Sequence, residues 1–241
     1  MNPERRQLLG FGAAAAAGAA LAPGLTLIEL AQARSPAEAA STLQRWGLLI
    51  DTTRCADCDS CVTACHEENG VTGNGRPKTD AQWIRKVTLR DKRTGYAQTL
   101  PVMCQHCENP PCVDVCPTGA SFKRADGIVL VDKHTCIGCR YCVVACPYGA
   151  RSFIHEAVSG QSADVPRGKG TVESCTLCVH RIDRGDGPAC VEACHRDGGG
   201  AMAFGDLNDA TSEIARRLRS EPSRQIRADL ALNTGVRYQG L

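Results

Sequence analysis

Apolar positions along the 241-residue chain come in short runs with no long periodic stretch after the N-terminus. "RWGLLID" (45–51) predicts a short strand. "WIRKVTLRDKRTGYAQTLPVM" (83–103) predicts a hairpin turned at Arg93-Thr94-Gly95, and "GASFKRADGIVLVD" (119–132) a second, turned at Ala125-Asp126-Gly127. The stretches "NGVTGNGRP", "VSGQSADVPRGKG" and "HRIDRGDGPA" read as polar loops. Near the end, Asp209 is placed to cap a helix with Ile214 and Leu218 on one face, while Pro222 to Leu241 shows no pattern that predicts an element. Elements this short bury little on their own. Aromatic residues make up only 4% of the chain, so large rings cannot supply the missing core and some other staple is needed.

The first 33 residues stand apart. Arg5 and Arg6 precede an Ala, Leu and Gly stretch, and Ala31-Gln32-Ala33 offers a small-residue cleavage site before Arg34. This is the layout of a twin-arginine-type signal peptide, although Glu29 interrupts the apolar run; an uncleaved membrane anchor is the alternative. The expectation is export to the periplasm, with a water-soluble mature chain from about residue 34.

The staple is in the cysteines. All sixteen fall into four quartets, each opening C-x-x-C and closing C-x-x-x-C: Cys55, Cys58, Cys61, Cys65; Cys104, Cys107, Cys112, Cys116; Cys136, Cys139, Cys142, Cys146; and Cys175, Cys178, Cys190, Cys194. Disulfides follow distant geometry and show no such local rule, and structural zinc usually draws on two separated pairs. Three thiolates within seven residues, a fourth just beyond, and a proline after Cys116 and Cys146 form the iron-sulfur signature. The tight loop wraps three corners of a [4Fe-4S] cube with its N–H groups turned toward the sulfides. The three-residue step carries the fourth thiolate onward along a helix, so quartets are expected to work in pairs, each lending its last cysteine to the other. A self-contained quartet is the alternative. Because an export route for folded cargo lets assembled clusters cross intact, signal and cysteines support one another.

The quartets, the long gap inside the fourth, "CVEAC" and "FGDL" resemble the four-cluster ferredoxin-type electron-transfer subunits of bacterial respiratory complexes, over about residues 46–207. That family includes the small subunits of dimethyl sulfoxide, polysulfide and nitrate reductases. The resemblance implies an α+β fold of two nested ferredoxin-like [4Fe-4S] modules within 34–207: an inner one at about 100–150, an outer one at about 46–80 plus 170–207, then a C-terminal docking tail, 208–241. It implies four ligand sets: Cys55, Cys58, Cys61 and Cys194; Cys175, Cys178, Cys190 and Cys65; Cys104, Cys107, Cys112 and Cys146; and Cys136, Cys139, Cys142 and Cys116. No cysteine of the third quartet is replaced, so four [4Fe-4S] clusters are expected and no [3Fe-4S] centre. Within the family, "RWGLLIDTTRCADCDSCVTACHEENG" and the tail "GVRYQGL" look most like subunits of Dsr-type complexes of sulfur metabolism. That likeness implies as partners a polytopic quinone-interacting membrane subunit, a multihaem cytochrome c and other Dsr complex subunits. The small subunit of a periplasmic molybdopterin oxidoreductase is the alternative.

Nothing in the chain resembles a nucleophile with a paired base, a phosphate-binding glycine loop or a paired-carboxylate site, and four full ligand sets leave no iron open. An electron carrier is expected, with no substrate site of its own. The net charge of +2 and the lack of a basic stripe interleaved with aromatics exclude nucleic acid as a partner. His66 and His195 directly follow cluster cysteines, and His195 stands where relatives commonly have proline. Both, with His180, read as ordinary polar neighbours of a cluster loop, and His106 as a loop residue pointing outward. Lys123, Arg124 and Lys133 read as a solvated hairpin face, or else as a basic group for an acidic partner.

Overall fold

In the computed structural model the described residues are 40–241, apart from 56, 57 and 77. The expected signal peptide lies outside them. Nine short strands and six short helices follow one another, with mixed α and β content.

The centre is a three-stranded mixed sheet, β8-β1-β9. Strand β1 (Trp46–Asp51) pairs antiparallel with β8 (Met202–Asp206), Ile50 opposite Met202, and parallel with β9 (Val236–Gln239), Leu48 opposite Val236. Leu48, Leu49 and Ile50 are all fully buried, because both faces of β1 are covered. Leu48 and Ile50 face the main core with Met202, Val236 and Tyr238, whereas Leu49 faces Ala203 and Ile214 under the helix Glu213–Ser220, α6. That helix lies close enough that a Cβ at Gly205 would come within 2.9 Å of Ile214.

Two corrections concern the C-terminal region. The cap of α6 is Ser212, whose Oγ accepts from the Ala215 N–H at 3.2 Å. Asp209 instead accepts from Thr211 in the preceding turn. Residues 208–241 are also no separate tail, since α6 covers β1 and β9 extends the central sheet. Tyr238 is fully buried, and its hydroxyl donates to the Pro101 carbonyl at 3.1 Å. Four alternating residues flanked by glycine and polar groups are too short a run to announce such a strand.

Both expected hairpins form: β2 (Ile84–Arg90) with β3 (Ala97–Met103), and β4 (Ser121–Lys123) with β5 (Val129–Val131). A third small pair, β6 (Ser152–Phe153) with β7 (Val172–Glu173), brackets the loop 158–170. The helices that follow the cysteine loops pack in pairs. Ser60–Glu68 (α1) lies on Ala189–Asp197 (α5), and Pro111–Asp114 (α2) on Tyr141–Ala145 (α3), while Val179–Ile182 (α4) follows Cys178.

The loop 158–170 is less polar in place than in sequence. Arg167 is buried and forms a two-pronged ion pair with Glu173 at 2.9 and 2.7 Å, and it also donates to the Gly70 carbonyl just beyond α1. The pair ties the fourth quartet's strand to the end of the first quartet's helix. Arg167→Met removes the hydrogen-bonded partner of the buried Glu173 carboxylate, for an expected loss of about 3–5 kcal/mol, read as a fall in denaturation midpoint.

The basic group expected on hairpin β4–β5 does not exist as a unit. Arg124 is taken up by Asp126 and Asp183, Lys123 by Glu108, and Lys133 turns inward to donate to the Val172 carbonyl at 2.6 Å. Burial holds the Lys133 ammonium down at about 8. Its contact with β7, 39 positions away along the chain, is a long-range effect that the local pattern does not encode.

Candidate cluster sites

The cysteine loops rest on backbone that few residues adopt. His106, Arg140, Leu177, Cys178 and Gly138 all have positive φ. Each lies within a C-x-x-C-x-x-C or C-x-x-C loop, where a left-handed residue allows successive N–H groups to form an anion-binding concavity. Gly138 cannot be replaced without displacement, since a Cβ there would stand 2.1 Å from the Gly170 carbonyl oxygen. Further N–H groups donate directly to sulfur: Ser121 to Cys116 at 3.3 Å, Leu177 to Cys175 at 3.4 Å and Ala201 to Cys194 at 3.2 Å. Val172 and Ala150 donate to Cys136 and Cys146, each at 3.5 Å. These are donors suited to a thiolate.

All sixteen cysteines are free thiols, and they gather across quartets. Cys55, Cys58, Cys61 and Cys194 line one cavity beneath Ile50 and Met202. Burial, and then the thiols of Cys194, Cys58 and Cys55, push Cys61 up to about 12. One turn further along the same face of α1, Cys65 is raised by burial and then by Cys190 and Cys178. Cys175 is raised by burial, Cys65 and Cys190. Cys104, Cys107, Cys112 and Cys146 line a second cavity, closed by Pro110, Pro147 and Arg151. There burial, Cys112 and Cys146 push Cys107 up to about 12. Cys142 is raised by burial and, more weakly, by Cys136 and Cys116, while Cys139 sits exposed in the loop between them.

Neighbouring groups also touch electrostatically in sequence. Cys190 meets Cys61, Cys175 meets Cys104, and Cys112 meets Cys142. The groups are thus neighbours in succession, first to second, second to third and third to fourth.

So many thiols in one buried place resist ionisation unless positive charge joins them. Yet among the described residues no three His, Cys, Asp or Glu side chains converge closely enough to hold a single metal ion. The quartets stand around a space. Four free thiols around a cavity, with N–H donors behind the sulfurs, fit a polynuclear iron-sulfur cluster and not a mononuclear zinc.

The histidines divide. His106 is 3% exposed, against the outward orientation expected; its Nδ1 accepts from the Val129 N–H at 3.1 Å, and burial holds the ring down at about 4. The reversal at residue 106 sends it inward, which spacing alone cannot reveal. His180 meets Glu68 at 2.8 Å, and His195 meets the Met202 carbonyl at 2.8 Å. His66 is half-buried, with burial lowering its pKa. Arg151, which no motif singled out, closes the second cavity.

These features define an electron-transfer protein whose carriers are iron-sulfur clusters. Two family descriptions, both of a 4Fe-4S dicluster domain, match residues 54–120 and 95–207. The chain is 43% identical to the Hdr-like menaquinol oxidoreductase iron-sulfur subunit 1 of Archaeoglobus fulgidus, over 98% of both chains. It is 41% identical to a tetrathionate reductase subunit of Salmonella typhimurium, over 90% of this chain and 80% of that one. A sulfite dehydrogenase subunit of Allochromatium vinosum is 38% identical, over 74% and 76%. The chain belongs to this family of dicluster-domain iron-sulfur subunits of oxidoreductases. It is an electron-transfer subunit, and its sixteen cysteines serve four [4Fe-4S] clusters.

Proposed function

We propose that the chain relays electrons along its four clusters on the periplasmic face of the membrane, as the iron-sulfur subunit of a Dsr-type complex of sulfur metabolism, the DsrO kind. Its partners are a polytopic quinone-interacting subunit, a multihaem cytochrome c and the other subunits of that complex. The supporting observation is the match over 98% of both chains to a subunit named for menaquinol oxidation, against 80% of the tetrathionate reductase subunit. The latter match favours the second reading, the small subunit of a periplasmic molybdopterin oxidoreductase.

Four ligand sets follow the four groups of thiols. The first cluster is held by Cys55, Cys58, Cys61 and Cys194, the second by Cys175, Cys178, Cys190 and Cys65. The third is held by Cys104, Cys107, Cys112 and Cys146, the fourth by Cys136, Cys139, Cys142 and Cys116. When bound, each cluster accepts and gives up one electron. Most cysteines of the second and third groups are buried. The ends reach the surface: Cys55 and Cys58 are half-buried, and Cys139 is exposed beside Ile137, Tyr141 and Val144. Among the described residues no helix is long and apolar enough to cross a membrane, and membrane attachment through the partner subunits is part of the proposal.

The test is capture of the tagged chain from detergent-extracted membranes. Co-purification of a polytopic subunit with a multihaem cytochrome supports the proposal, and a large molybdopterin subunit in their place overturns it. Export is checked separately. Changing Arg5 and Arg6 together to Lys is expected to strand a brown precursor in the cytoplasm, and normal export of that variant removes the twin-arginine reading.

A further inference from the structure

Arg151 has no counter-ion of the ordinary kind. It lies just beyond the Cys146-Pro147 turn at the start of β6, is 4% exposed, and none of its three side-chain nitrogens reaches a carbonyl or carboxylate. The other fully buried arginine shows the usual arrangement, with Arg167 locked onto Glu173. A guanidinium stays protonated under any condition in which the protein is folded, so this one carries a full positive charge in the interior. Such a charge persists only if negative charge of comparable size faces it.

What faces it is sulfur. The side chain lines the cavity of Cys104, Cys107, Cys112 and Cys146, and the groups that favour its charge most are the thiols of Cys112, Cys104 and Cys142. Cys112 and Cys104 belong to one group, Cys142 to the next. We infer that Arg151 is the shared counter-charge of the two inner clusters, the third and fourth in that succession, holding the reduction potentials of both upward and close to each other. This rests on the ligand sets proposed above. The physical reason is direct: one-electron reduction adds a negative charge to a cluster, and a fixed cation in a low-dielectric site favours the more negative form. Because Arg151 works against burial to lower the pKa of Cys112 in one group and of Cys142 in the next, its charge acts on both. The outer clusters have no equivalent among the described residues; their buried arginine is already neutralised by Glu173.

The experiment is a redox titration of the cluster-loaded full chain, followed by electron paramagnetic resonance, for the native protein, Arg151→Gln and Arg151→Lys. Iron and sulfide are counted first, and the four signals are assigned with Cys107→Ser and Cys139→Ser. A native protein with fewer than four clusters, or a different grouping, defeats the ligand sets and not the role of Arg151. With four clusters present, Arg151→Gln is expected to lower two potentials by at least a tenfold change in the reduction equilibrium, about 59 mV for a one-electron couple. The other two are expected to stay in place, and Arg151→Lys to keep all four near native. Unmoved potentials in Arg151→Gln, equal shifts in all four, or equal shifts for Gln and Lys overturn the inference. If Arg151→Gln fails to hold the inner clusters, Arg151→Lys decides. Retention there shows that the charge is required, and loss there shows that the shape of arginine is what matters and overturns it.

Discussion

A chain ending at Pro222 is expected to emerge colourless and unable to retain its clusters. The truncation removes β9, which leaves one side of β1 without a partner and empties the places of Val236 and Tyr238, both fully buried. Burial of two such side chains is worth on the order of 2–5 kcal/mol each, a large part of the 5–15 kcal/mol that holds a typical domain together. The loss extends to the second quartet. The Gly235 N–H donates to the Gln105 carbonyl at 2.8 Å, and the Glu108 N–H donates to the Asn233 carbonyl at 3.0 Å, so residues 232–235 brace the loop that carries Cys104 and Cys107. Iron and sulfide content after anaerobic purification is the measurement. A stable brown protein lacking 223–241 would show that the strand is dispensable.

The second large effect is loss of a single cluster by Cys146→Ser, and the question is which one. If quartets were self-contained, the variant would match Cys139→Ser. Cys146 lies in the cavity of Cys104, Cys107 and Cys112, at the far end of α3 from Cys139. Cys146→Ser and Cys107→Ser are therefore expected to disturb the same paramagnetic resonance signal, and Cys139→Ser another. By the same logic Cys194→Ser groups with Cys58→Ser, although the two are at opposite ends of the cysteine-bearing chain. Spectra in which Cys146→Ser and Cys139→Ser coincide would falsify the exchange of fourth ligands.

The sequence was most readable where structure is local. "RWGLLID" marks β1, and Arg93-Thr94-Gly95 and Ala125-Asp126-Gly127 mark both hairpins, because a turn needs a left-handed residue within a few positions, here Gly95 and Gly127. The cysteine spacing was readable for the same reason. What stayed hidden depends on partners far along the chain. Four residues of β9 carry too little alternation to be noticed, and their pairing with β1 is set by the whole fold. Ser212 took the cap from Asp209 because its Oγ also donates to the Asp206 carbonyl, and so to the end of β8. The inward turn of His106, the burial of Lys133 and the solitary charge of Arg151 follow from tertiary packing around the quartets, which no window of sequence contains.

The central sheet also sets an order of events during synthesis. Thr52 donates to the Gln239 carbonyl at 2.8 Å from 187 positions away along the chain, so β1 waits for β9 to be synthesised before its sheet can close. Closing so long a loop early is entropically unfavourable, and contacts of that range form slowly. The cysteine pairs nested inside shorten the effective loop once iron joins them. Assembly ordered from the inside outward is then favoured, with the β1–β9 ladder closing around the cysteine-bearing chain.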